Sequence, residues 1–133
     1  MEQKPSNCEF NIATIDAANG KAEDDGGLVI AIARLGDGEE QKELSRRRLH
    51  NVRTYLMEFD RRSPEMIVTA EGERVKGYGR VELYVGGKLF YVLMIRPKAD
   101  LPVGSCSYEG EDPCSHEREK KLYPCLDRKS RKR

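Results

Sequence analysis

The sequence predicts an α+β domain: one long helix packed on a mostly antiparallel five-stranded sheet, in the order ββαβββ. Three observations predict it. A single helical stripe, Leu49, Val52, Leu56 and Phe59, recurs at i, i+3, i+7 and i+10. The segments around it alternate with period two or run short and β-branched. Between two of those segments stands Gly86-Gly87, a pair that tolerates the two positive φ values of a tight hairpin.

The elements follow in order. Residues 8–16 alternate, with Phe10, Ile12 and Thr14 on one side, and predict a first strand. Residues 17–27, AANGKAEDDGG, predict a turn-rich loop. The apolar run at 28–35 predicts a central strand buried on both faces. Asp37 and Glu40 stand at capping-box spacing, so the helix is expected over residues 38–60, stopped by Arg61-Arg62-Ser63-Pro64. Strands are expected at 65–71, 80–85 and 88–95, with a glycine-rich loop at 72–79. The expected core is Ile12, Leu28, Ile30, Ile32, Leu49, Val52, Leu56, Ile67, Val81, Leu83 and Val92.

Composition bounds the function. The 133 residues suffice for one core, expected within residues 1–106 and followed by a polar, cysteine-containing tail at 107–133 that ends in a basic run. Lys and Arg number 24 against 23 Asp and Glu, a net charge of +1 that argues against a nucleic-acid coat protein. No apolar run approaches the ~20 residues needed to span a bilayer. No nucleophile–base pair or carboxylate pair is recognisable, so no enzyme, cofactor or catalytic residue is expected. The glycines of 72–79 lead into a strand rather than a helix, which favours turns over phosphate binding. His50 is expected at a surface or boundary of the helix, and the basic C-terminal run as a solvated end.

Cys8, Cys106, Cys114 and Cys125 are even in number, and three of them lie in or near the core-poor tail. That pattern predicts disulfides and an oxidising compartment. The rival is a zinc site of Cys106, Cys114, His116 and Cys125, disfavoured because no C-x₂₋₄-C knuckle exists. Four cysteines allow three pairings. The expected one ties Cys8, opening the first strand, to Cys106, after the last, and leaves Cys114 with Cys125. The N-terminus shows no signal-peptide pattern, which by itself reads as a cytosolic start; the expected disulfides favour instead a periplasmic or otherwise exported mature chain whose signal peptide has been removed.

Several segments resemble one family. The strand to Arg34 is followed by Gly36-Asp37, then Leu44-Ser45-Arg46-Arg47-Arg48-Leu49, then Val52-Arg53-Thr54-Tyr55-Leu56. This is similar to the OmpA-like domain of bacterial envelopes, which carries a strand ending in T-D, a capped loop, L-S-x-x-R-A and V-x-x-Y-L. Ile67 to Glu73 resembles the family's strand leading to G-Y-G-E, and Gly79-Arg80-Val81-Glu82-Leu83 its strand with R-R-V-E. The likeness covers about residues 28–85. It implies peptidoglycan or other envelope proteins as partners, and an arginine–aspartate clamp for diaminopimelate. The arginine falls on Arg48. The aspartate falls on Ala33, which cannot accept a hydrogen bond from an ammonium. Arg48, with Arg80 and Glu73 in the matched segments, forms the candidate ligand-binding set. The bland reading of Arg48 is an internal ion pair with Asp37, Glu71 or Glu73. The family also joins its first two strands through a helix, whereas residues 17–27 are too short for a parallel crossover and predict a hairpin. The expected function is a non-enzymatic envelope domain with a structural or protein-interaction role and impaired peptidoglycan binding. The alternative is a peptidoglycan-binding module using Arg48.

Overall fold

The computed structural model describes residues 4–104 and 106. The chain runs α1 (Cys8–Asp25), β1 (Val29–Arg34), α2 (Lys42–Glu58), a 3-10 turn (Pro64–Met66), β2 (Ile67–Glu71), β3 (Gly79–Val85) and β4 (Lys88–Ile95). The strands form one mixed sheet in the order β2-β1-β3-β4. β1 pairs with β2 in parallel and with β3 antiparallel, and β3 pairs antiparallel with β4. α2 supplies the crossover that a parallel β1–β2 pair requires.

This corrects the expected architecture: among the described residues there are two α-helices and four strands, and residues 8–16 are helical. The alternation of Phe10, Ile12 and Thr14 is coincidental. The buried face of α1 is Asn11, Thr14, Ile15, Ala18, Asn19 and Ala22, which keeps helical spacing. Apart from Ile15 that face is built from small and polar residues, so hydrophobicity leaves no stripe to read. The supposed loop 17–27 is the second half of α1. Asn7 caps its start by accepting from the Phe10 N–H (2.8 Å). Gly26, at φ 66°, ends it in the left-handed conformation, its N–H and that of Gly27 bonding back to Glu23 and Ala22 carbonyls. Among the described residues no strand precedes β1, so the expected hairpin into it does not form.

α2 is shorter than expected. The Asp37–Glu40 capping box does not form, because residues 36–41 are a loop and Gln41 is the N-cap, with no side-chain bond. Of the expected stripe, Leu49, Val52 and Leu56 are buried on α2, while Phe59 falls at its C-cap and is half-buried. Arg62, rather than only facing the helix dipole, is buried: it donates to Asn19 Oδ1 (3.0 Å), Met66 O (3.1 Å) and Gly27 O, tying the end of α1 to the α2–β2 turn.

The helices pack on one face of the sheet, as the contacts of α1 and α2 with the strands show. Val29, Ala31 and Ala33 of β1 and Val81, Leu83 and Val85 of β3 point into that core, with Leu93 and Ile95 of β4. β1 is therefore buried on one face only. Ile30 and Ile32 are half-buried on the other, and Ile12 and Val92 are also half-buried. Leu28, expected in the core, is 38% exposed because it precedes the strand at the α1–β1 turn. Gly86 and Gly87 adopt φ 62° and 77°, as the predicted hairpin requires.

A disulfide joins Cys8 to Cys106 with their Cα atoms 5.9 Å apart, as expected, although Cys8 opens a helix rather than a strand. Cys114, Cys125, His116 and the basic C-terminal run lie outside the described residues. Among the described residues no helix is long and apolar enough to cross a membrane, and no cluster of metal-ligating side chains occurs.

Candidate functional site

At one end of the sheet, the loop after β1 meets the loops before β3 and after β4. Arg48, on α2, points into this junction with its side chain 0% exposed. It meets Glu39 of the first loop, itself fully enclosed, through Nη1–Oε1 (3.0 Å) and Nη2–Oε2 (2.5 Å). The pair is bidentate, the geometry that matches a guanidinium to a carboxylate. Arg48 Nε donates to Ala99 O (3.0 Å). Glu39 accepts two further bonds, from the Gly36 N–H and the Lys98 N–H (2.8 Å each). Burial pushes the Glu39 carboxyl up, but its bonds to Arg48, Gly36 and Lys98, with the Arg48 charge, outweigh this and hold it below the ordinary range.

Glycine completes the junction. A Cβ on Gly79 would overlap the Glu39 carboxylate and the Arg48 guanidinium, and one on Gly36 would overlap the backbone of Gly77 to Gly79. Asp37 fastens the neighbouring loop: its N–H donates to Gly77 O, and its Oδ2 accepts from the Gly77 N–H, both at 2.8 Å. Arg74 Nη1 donates to Gly36 O (2.7 Å).

The predicted ligand set is not brought together. Arg48 is sealed beneath the loops, paired with Glu39 rather than with Asp37, Glu71 or Glu73. Strand alternation turns Arg80 to the opposite face of the sheet from Gly79, where its guanidinium donates to Tyr78 O and Lys76 O. Glu73 is exposed in its loop, and its carbonyl accepts from Arg34 Nη1 (3.2 Å). The glycine loop is used for turns and loop-to-loop bonds, as expected.

A second feature went unread in the sequence. Between α2 and the edge strand β2 lies a cleft of about 260 Å³, lined by Arg46, Leu49, His50, Arg53, Thr69, Ala70 and Glu71. Arg46 Nε reaches Glu71 Oε2 at its rim (3.5 Å). Arg46, His50 and Arg53 sit at i, i+4 and i+7, one face of a helix. That spacing is visible in the sequence, but the strand beside it is not.

Comparison with family models, with curated proteins and with solved structures returns no match. The fold and the site therefore define a class only: a disulfide-bonded α+β domain with two helices on one face of a four-stranded mixed sheet.

Proposed function

We propose that this chain is a non-enzymatic domain of an exported, cell-envelope assembly, acting through protein contacts and structural support. The observation that carries the reading is the sealed Glu39–Arg48 pair. The arginine that the OmpA-like resemblance offers to a ligand carboxylate already holds a carboxylate of the same chain, and both are withdrawn from solvent. Ala33, at the other clamp position, is buried and has no polar side chain. The Cys8–Cys106 disulfide supports export, since such bonds persist outside the reducing cytosol.

Co-sedimentation with purified peptidoglycan sacculi tests this. The expected result is no more sedimentation than a non-binding control. Binding by the native chain that is lost in a folded Arg48→Lys variant would establish the peptidoglycan module instead. Non-reducing peptide mapping of the protein from its own cells is expected to find the Cys8–Cys106 peptide, and free thiols there would overturn export.

A further inference from the structure

The cleft beside β2 has the parts of a peptide groove. β2 is an edge strand, paired only with β1 among the described residues. The Gly72 N–H donates to Ala33 O (2.8 Å) just beyond β2. Strand alternation then turns the backbone N–H and C=O groups of Thr69 and Glu71 to the outer edge, where an added strand would bond them. Above that edge runs the α2 face carrying Arg46, His50 and Arg53, and the floor between is Leu49, Thr69 and Ala70.

Charge chooses the occupant. Two arginines line the groove, and the carboxylate at its rim, Glu71, is already drawn to Arg46. From Arg46 to Arg53 the helix rises about 10 Å, between the about 7 Å and about 13 Å that separate same-face side chains two and four apart in an extended strand, a difference that two long arginine side chains take up. In an extended strand, side chains two apart share a face, so acidic residues at alternate positions would all meet the basic helix face.

Resting on the reading of this chain as an interaction domain, we propose that the α2–β2 groove binds an extended, acidic segment of a partner protein, which adds to the sheet at β2 and places alternate carboxylates against Arg46 and Arg53.

The test is fluorescence anisotropy of the full chain with a labelled eight-residue peptide alternating Thr and Glu. Its Thr/Lys counterpart and a copy methylated on alternate backbone nitrogens serve as the comparisons. The acidic peptide is expected to bind, and both comparison peptides to bind roughly tenfold more weakly or not at all. Arg46→Glu with Arg53→Glu is expected to weaken the acidic peptide by roughly tenfold or more, and Glu71→Gln to strengthen it by removing a competing carboxylate. Both variants change exposed or half-exposed positions, and an unchanged thermal midpoint shows that they fold. Amide shifts confined to Thr69, Glu71 and the facing side of α2 would place the peptide. No binding of the acidic peptide, equal binding of the acidic and basic peptides, or indifference to the arginine reversals would overturn the groove. Sacculus binding would overturn the proposed function instead, so the two failures are distinct.

Discussion

Glu39 and Arg48 lie nine positions apart and meet in a two-pronged ion pair that no solvent reaches. Through backbone bonds the pair also holds Gly36, Lys98 and Ala99, so one contact fastens α2 to the loops after β1 and after β4. A buried pair of this kind is not strong evidence for net stability, because both charges leave water to form it. Its worth lies in what breaking it exposes.

Arg48→Leu leaves the Glu39 carboxylate buried without its cation, and should cost about 3–5 kcal/mol. Adding Glu39→Leu should restore part of the loss, so the double change costs less than the two singles summed. Gly79→Ala should act on the same contact by forcing a methyl group against both partners, costing about 1–3 kcal/mol. Urea unfolding of the four variants measures all of this. Strict additivity of Arg48→Leu and Glu39→Leu would show that the pair is not coupled.

Glu39 and Asp60 act on stability in opposite directions with pH. Glu39 is held below its ordinary 4.5, so its contribution is complete above that value and is lost as pH falls through its folded-state value. Asp60 is raised from 3.8 to about 8, first by burial and then by the Asp16 and Glu23 carboxylates, with Arg62 opposing them. Its buried Oδ2 has no hydrogen-bond partner among the described residues. The folded chain thus keeps a proton on Asp60 that the unfolded chain gives up. That contribution is complete below about 3.8 and is lost as pH rises toward about 8. Asp60→Asn should raise the thermal midpoint at pH 8.5 and raise it less at pH 5. An equal shift at both values would contradict the raised carboxyl.

The Cys8–Cys106 bond closes a loop of 98 positions. In the chain-entropy model a loop of that length stabilises by on the order of 4–5 kcal/mol. Cys8→Ser with Cys106→Ser should lower the urea midpoint accordingly, most of the effect arising from a freer unfolded chain. A change under about 1 kcal/mol would mean that the Ser6–Asn11 and Asn11–Pro102 hydrogen bonds already hold the two ends together.

Two leucines separate packing from hydrophobicity. Leu56 is fully buried beneath α2, and Leu56→Ala should cost about 2–5 kcal/mol. Leu28, in an equally apolar stretch of sequence, is 38% exposed, and Leu28→Ala should stay within about 0.5 kcal/mol. Thermal or urea unfolding of the two variants decides it, and equal losses would contradict the assignment of their sites.

Legibility in the sequence followed the kind of signal each element carries. The stripe Leu49, Val52 and Leu56 announces α2 because large aliphatics repeat at the helical period. The β3–β4 hairpin is legible because Gly86 and Gly87 readily adopt the two positive φ values of a two-residue turn. α1 is not legible because its inward face carries a single large aliphatic, Ile15, among Asn11, Thr14, Ala18, Asn19 and Ala22, residues whose burial hydrophobicity does not advertise. Its signals were at the ends, Asn7 before and Gly26-Gly27 after. Arg48 is reached through the likeness of Leu44-Ser45-Arg46-Arg47-Arg48-Leu49 to one family, but its carboxylate partner is Glu39 rather than Asp37, Glu71 or Glu73.

Local order, then, was the sequence's own: the periods of α2 and of the strands, and the glycine turn, depend on residues a few positions apart. The Cys8–Cys106 link is also legible there, because the two cysteines bracket the elements that form the core. Tertiary structure alone decided which charge faces which. Glu39 lies closer to Arg48 in sequence than Glu71 or Glu73 does, yet what encloses it is a junction of loops up to 59 positions away, brought together by the parallel crossover and the hairpin. The groove is of the same kind, since Arg46, His50 and Arg53 gain a strand beside them only when α2 folds back over β2. Periodicity is a property of neighbours in the chain, whereas the choice of a buried partner is a property of neighbours in space.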